Sequence, residues 1–213
     1  MAREYLKKAQ MTAQTNADST QDIVRGILAD IEQGREEKAL EISSRFDNYT
    51  GNAILTRAEI EAAKEKVPQK LRDDMNFAHD NIKRFAEAQK GTMSNMEIEI
   101  QPGLITGQKT IPVNAAGCYV PGGRYAHIAS AMMTVTTAKV AGVDHITACS
   151  PPNGEEGIHP AIIYAADLCG ADKILSLGGV QGVASMTYGL FDLPAADIIV
   201  GPGNQFVAEA KRQ

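Results

Sequence analysis

The chain has no tryptophan, and tyrosine and phenylalanine together make up only 5% of its 213 residues. Few platforms are left on which single-stranded nucleic acid could stack. Cysteine is almost as scarce: Cys118, Cys149 and Cys169 are odd in number and lack CxxC spacing. They supply neither a disulfide framework nor a thiolate zinc site, and they fit a reducing, cytosolic setting. No window approaches the ~20 consecutive apolar residues that a membrane-spanning helix needs. The N-terminus, Met1 to Lys8, lacks the apolar core of a secretory signal. There is no Lys/Arg cluster, the net charge is −5 and the pI is near 5.4. This balance argues against nucleic acid as a partner.

What is present is unevenly spread. Residues 1–100 carry 33 of the 47 charged side chains but only 4 of the 19 glycines. The charged half reads as amphipathic helices. Asp18-Ser19-Thr20-Gln21-Asp22 offers capping hydroxyls and early acidic residues. Ile23, Val24, Ile27, Leu28 and Ile31 then recur at helical spacing, and Gly34 is a stop. A second helix is predicted from Arg35 to Phe46, with Ala39, Leu40 and Ile42 inward, followed by a loop over Asn48–Asn52. Thr56-Arg57-Ala58-Glu59 is a capping box. From Pro68 to Lys90, Leu71, Met75, Ala78, Ile82, Phe85 and Ala86 form one face, closed by Gly91. His79 lies on this charged helix as a structural or solvated residue. The period then changes: Met96, Ile98 and Ile100 alternate with Glu97 and Glu99, which predicts a half-buried strand. Pro102-Gly103 turns the chain, and Leu104–Val113 supplies one or two more short strands.

The second half repeats a different unit. Apolar runs at Gly117–Val120, His145–Cys149, Lys173–Leu177 and Asp197–Val200 each precede a glycine- or proline-rich loop and a helical pattern. Spacing of roughly 25–30 residues is that of strand–loop–helix units returning to a parallel neighbour. Runs apolar on both faces belong to a sheet covered by helices. The fold class is therefore α/β: an N-terminal helical region followed by a Rossmann-like parallel sheet with helices on both faces.

The loops after these strands are Pro121-Gly122-Gly123, Pro151-Pro152-Asn153-Gly154, Gly178-Gly179 and Gly201-Pro202-Gly203. In an open parallel sheet they share the carboxyl edge, where ligands bind and where glycine lets backbone N–H groups approach a phosphate. None is a complete GxGxxG. Three side chains stand beside them: Tyr119, Gln181 and Asn204. A phenol and two carboxamides can bind ribose, adenine or phosphate without adding charge. Equally, Tyr119 can be a core residue and Asn204 a helix cap. No pair of histidines has metal-ligand spacing; His145 opens a strand, His159 begins a helix, and His127, after Gly123, is the best placed to face a ligand.

Several of these motifs, in order, resemble the histidinol dehydrogenase family: Ala116–Gly123, Ala138–Val143, Leu168–Asp172, Gly178–Gln181, Val200–Asn204 and Val207–Gln213, with a looser match at Arg45-Phe46-Asp47. The resemblance implies zinc-dependent, NAD-linked oxidation of an alcohol substrate to a carboxylic acid through an aldehyde. It places the family's NAD-contacting Tyr, Gln and Asn on Tyr119, Gln181 and Asn204. With the division already read from the sequence, residues 1–113 are expected to be a helical region plus short strands, and residues 114–213 become a Rossmann-like NAD-binding domain. It further implies a cytoplasmic homodimer.

Arg124-Tyr125-Ala126-His127-Ile128-Ala129-Ser130 and Gly189-Leu190-Phe191 are more similar to the sulfopropanediol dehydrogenase branch, which oxidises 2,3-dihydroxypropane-1-sulfonate to sulfolactate. Arg124 would suit an anionic substrate or the cofactor pyrophosphate. A histidinol dehydrogenase and a non-catalytic nucleotide-binding module are the alternatives. The family's zinc ligands and Glu–His acid–base pair follow the Ala-Lys-Arg-Gln segment on which this sequence ends. No catalytic or metal residue is therefore assigned. The expectation is the amino-terminal portion of a longer enzyme, inactive and without stoichiometric zinc on its own.

Overall fold

The computed structural model describes residues 17–122 and 125–213. Arg124, with Gly123, lies outside the described residues. Helix α1 (Ala17–Asp47) breaks at Arg35, whose φ of 49° and ψ of −137° interrupt the helical run directly after Gly34. The two expected helices are thus the two arms of one kinked element. Arg35 is held at the kink by donating from Nη2 to the Tyr188 carbonyl at 3.0 Å. Ser19 and Thr20 fall inside the first turns of α1 rather than ahead of it. Val24, Ile31, Ala39 and Ile42 are buried, but Leu40 is exposed. Leu40 follows Ala39 by one residue, about 100° round the helix, so it misses the stripe that Ala39 and Ile42 define.

Helix α2 (Arg57–Glu65) starts at the capping box, with Glu59 N–H donating to Thr56 Oγ1 at 3.2 Å and Thr56 N–H to Glu59 Oε2 at 2.7 Å. Helix α3 (Gln69–Lys90) follows Pro68 and buries Met75 and Ala86. Phe85, expected on that face, is 66% exposed. The buried stripe advances from Ile82 to Ala86 by four residues, leaving Phe85 out of phase. Strands β1 (Met96–Gln101) and β2 (Leu104–Gln108) form an antiparallel hairpin turned at Gly103, which has φ +79°. The expected half-burial does not occur. Both strands are exposed along their whole length, because no other described element covers either face.

The second half builds β3 (Ala115–Tyr119), α4 (Ile128–Ala141), β4 (His145–Cys149), α5 (Pro160–Cys169), β5 (Lys173–Leu175), α6 (Gly179–Thr187), β6 (Ile198–Val200) and α7 (Gln205–Arg212). The four strands pair in parallel in the order β5-β4-β3-β6. Asp172 and Asp197, each one residue ahead of its strand, tie the strand starts together. Asp172 Oδ2 accepts from Ile146 N–H at 2.8 Å, and Asp197 Oδ2 accepts from Asn114 and Ala115 N–H at 2.8 and 2.9 Å. At the β5 edge the loop after α1 adds an antiparallel bridge, with Leu55 N–H on Ile174 O and Ser176 N–H on Ala53 O.

Strand alternation divides the core. Cys118, Ala148 and Ile174 pack with α2, α3, α4 and α5 on one face of the sheet. Tyr119, Cys149 and Leu175 pack with α1, α6 and α7 on the other. The fold is α/β, with helices on both faces of a parallel sheet. No helix among the described residues is long and apolar enough to cross a membrane.

The contrast between sheet and hairpin is measurable. Leu175 is fully buried, so Leu175→Ala is expected to cost about 2–5 kcal/mol. Ile105 is 66% exposed, so Ile105→Ala is expected to stay within about 0.5 kcal/mol of wild type. Urea denaturation of the two variants checks both.

Candidate functional site

The chain moves outward from β3 to β4 and β5, then returns to lay β6 on the other side of β3. Loops leaving two neighbouring strands in opposite directions open a crevice at their carboxyl ends. Here that crevice is a cleft of about 660 Å³. Its walls are Ile23, Ile27, Phe46 and Asp47 of α1, the turns at Pro121-Gly122 and Gly203-Asn204, Pro151, the first turn of α6, and Phe206.

All three side chains singled out in the sequence line this one cleft. Tyr119 is the last residue of β3 and is 4% exposed, with its hydroxyl accepting the Gly179 N–H at 3.0 Å. Burial raises the phenol above its ordinary pKa, against the Gly179 N–H that lowers it. The hydroxyl therefore keeps a proton to donate. Gln181, in the first turn of α6, is also 4% exposed, and its Nε2 donates to Asp47 Oδ2 at 2.9 Å. Because the amide nitrogen is committed to a carboxylate, Oε1 is the atom left to accept from a ligand. Asn204 is exposed and caps α7, its Oδ1 accepting from Phe206 and Val207 N–H at 3.0 Å each. The choice between core or cap and cleft residue is thus no choice: Tyr119 and Asn204 are both at once. Capping consumes Asn204 Oδ1 and leaves its NH2 toward other partners.

Backbone approach makes the cleft possible. Gly201 has φ +117°, and a Cβ there would overlap the Tyr119 carbonyl oxygen. Only glycine lets the β6 loop lie against the end of β3. Pro151 wedges between two other loops, in contact with the positions a Cβ would take at Gly122 and at Gly178. Gly179 N–H is given to Tyr119, whereas the Val180 and Gln181 amides, at the start of α6, have no helical acceptor. They are donors pointing out of a helix N-terminus, where anionic oxygens are stabilised.

Asp47 is the residue that the reading of the edge loops passed over. It ends α1, far in sequence from the glycine loops of the sheet edge, and its one signal was the Arg45-Phe46-Asp47 match. Half-buried, it takes the Gln181 Nε2–H and, at 3.4 Å, the Ser43 hydroxyl, both on Oδ2. Burial raises its pKa, against the two donors that lower it. A second cleft, of about 770 Å³, adjoins the first and shares Asp47, Gly122 and Pro151 with it.

The histidines stay apart from the first cleft. His127 precedes α4, is exposed and lines neither cleft, contrary to its expected orientation toward a ligand. It sits one residue ahead of the helix, beyond the end of the loop. His145 opens β4 and contacts Thr147 Oγ1 at 3.2 Å, while His159 Nδ1 caps α5. Among the described residues no group of three or more His, Cys, Asp or Glu could hold a metal ion. The three cysteines are free and buried, and burial pushes the Cys118 and Cys169 thiols up to about 11.

The close approach at Gly201 is the most sensitive backbone point. Gly201→Ala is expected to destabilise the fold by about 2 kcal/mol or more, through the forced φ and the overlap with Tyr119. Gly26→Ala, in open space on α1, is expected to stabilise it by about 0.5–1 kcal/mol. Thermal melting of both variants reads the difference in sign.

Comparison with known proteins agrees with this arrangement. The histidinol dehydrogenase family model matches residues 10–213. A sulfopropanediol 3-dehydrogenase from Ruegeria pomeroyi is 64% identical over all of this chain and 49% of its own length. A histidinol dehydrogenase homolog from Pelagibacter ubique is 56% identical, again over the whole chain and 50% of its own length. The crystal structure of histidinol dehydrogenase from Elizabethkingia anophelis superposes with a TM-score of 0.85 at 30% identity, covering 99% of this chain and 46% of that one. The chain spans about half the length of the relatives it matches. Family model, sequence relatives and fold coincide on the same α/β unit, and the chain belongs to the histidinol dehydrogenase family.

Proposed function

We propose that this chain supplies the NAD-binding part of a dehydrogenase that oxidises a primary alcohol to a carboxylate. The observation that carries the proposal is the convergence of Tyr119, Gln181 and Asn204 on one cleft at the point where the strand order reverses. The cleft fits a dinucleotide in three respects. An apolar wall of Ile23, Ile27, Phe46 and Phe206 suits a flat heterocycle. The Val180 and Gln181 amides suit a pyrophosphate. The Tyr119 hydroxyl and Asn204 amide NH2 supply donors, and Gln181 Oε1 an acceptor, for hydroxyls and ring nitrogens. NAD bound there would supply the hydride acceptor, and the chain's own residues would bind and orient it in a partly dehydrated site.

For the substrate we favour 2,3-dihydroxypropane-1-sulfonate, oxidised to sulfolactate. The support is the 64% identity to a protein named sulfopropanediol 3-dehydrogenase. L-histidinol is the second reading, favoured by the backbone likeness to a histidinol dehydrogenase at 30% identity. Zinc dependence, a cytoplasmic location and a homodimer complete the proposal, by analogy with the family. The described residues do not fit a zinc site, so no step through the metal is derived from this chain.

Titration of the chain with NAD tests the binding reading. Asn204→Ala and Tyr119→Phe are each expected to weaken NAD about tenfold, close to the loss of one useful hydrogen bond. Wild-type affinity in both variants would remove these residues from the site. Turnover of dihydroxypropanesulfonate against histidinol, by the enzyme that carries this chain, separates the two substrates.

A further inference from the structure

Asp47 is the one charged side chain among the described residues lining the switch-point cleft, and none of those residues is a lysine, arginine or histidine. Its two carboxylate oxygens are not equivalent. Oδ2 is occupied by Gln181 and Ser43, whereas Oδ1 has no protein donor among the described residues. A half-buried carboxylate with one oxygen committed and one open is an acceptor for a ligand hydroxyl. It is also a standing negative charge in a space whose described phosphate donors, on the NAD-binding reading, are the Val180 and Gln181 amides.

We infer that Asp47 is the specificity-determining residue of this cleft, selecting a dinucleotide with free ribose hydroxyls over one carrying an additional ribose phosphate. The inference rests on the NAD-binding reading above and deepens it. The selection acts in two ways. Directly, Oδ1 can accept a hydrogen bond from a ribose hydroxyl, which is lost at the esterified position, while the carboxylate repels the phosphate dianion across a cleft only about 660 Å³ in volume. Indirectly, Asp47 Oδ2 holds the Gln181 NH2 and so presents Oε1 to the ligand as an acceptor, which a phosphate oxygen cannot satisfy. A site accommodating the extra phosphate would need a cation to pair with it. The described lining of this cleft contains none.

The two routes separate by substitution. Asp47→Asn keeps an oxygen to accept from Gln181 but removes the charge. Asp47→Ala removes both. Wild-type chain is expected to bind NAD at least about tenfold more tightly than NADP, because a repelled phosphate costs on the order of 1.4 kcal/mol or more. In Asp47→Asn the NADP dissociation constant should fall about fivefold or more, narrowing the ratio, while thermal melting confirms that the variant is folded. In Asp47→Ala, NAD should weaken as well, and in a Gln181→Ala background this loss should shrink to the part due to the direct contact, the difference being the route through Gln181. An NAD-to-NADP ratio identical in wild type and folded Asp47→Asn would overturn the inference while leaving the cleft as an NAD site. Wild-type chain that binds neither nucleotide would overturn the binding reading itself, and the inference with it.

Discussion

The parallel pairing of β3 with β4 on one side and β6 on the other is the constraint from which the rest of the molecule follows. β3 is central, so its residues are covered on both faces, and Cys118 and Tyr119 go to opposite cores. Because β6 returns past β3, the chain must leave the two strands in opposite directions, and the crevice between the departing loops is unavoidable. Tyr119 is where this geometry becomes chemistry. It ends β3, its carbonyl receives the close approach of Gly201, and its hydroxyl takes the first amide of α6. One residue thereby couples three elements of the carboxyl edge.

The cleft that results sets a few polar groups in a mostly apolar wall, with no cationic side chain among its described lining residues. Its donors are backbone amides, a phenol held protonated by burial and the NH2 of a capping asparagine. Its one described charge is negative. For the dinucleotide proposed to bind there, geometry rather than Coulomb attraction would be the source of affinity. Glycine and proline supply that geometry: Gly201 lies on Tyr119, and Pro151 packs against both Gly122 and Gly178. The α1 arm closes the open side, with Ile23 and Phe46 as exposed apolar surface and Asp47 as the polar group among them. Helix α1, whose one motif is the Arg45-Phe46-Asp47 match, is thus part of the cleft wall.

The legible features were those set by local periodicity or by turn chemistry. The four parallel strands, the Thr56 capping box and the break after Gly34 needed only neighbours in sequence. Where a residue's fate depended on the phase of a stripe, the reading slipped. Leu40 and Phe85 are apolar and adjacent to buried residues, yet they face out because packing selects Ala39 and Ala86 instead. The hairpin shows the same limit from the other side. Alternation of isoleucine with glutamate specified strand correctly, but burial requires a covering layer, which the pattern itself does not supply. His127, at the start of α4, lines neither cleft.

Sequence by itself determined the α/β class, the alternation of strand and glycine loop, and the identity of Tyr119, Gln181 and Asn204 as edge residues, since each follows from spacing along the chain and from motifs of the family. Only the tertiary structure decided that these three share one cleft, that Asn204 caps a helix while lining it, and that Asp47 joins them. The reason is distance along the chain. Asp47 and Gln181 are separated by 134 residues, and their hydrogen bond exists only because α1 packs across α6 on one face of the sheet. No local pattern encodes a contact made by the docking of one helix on another.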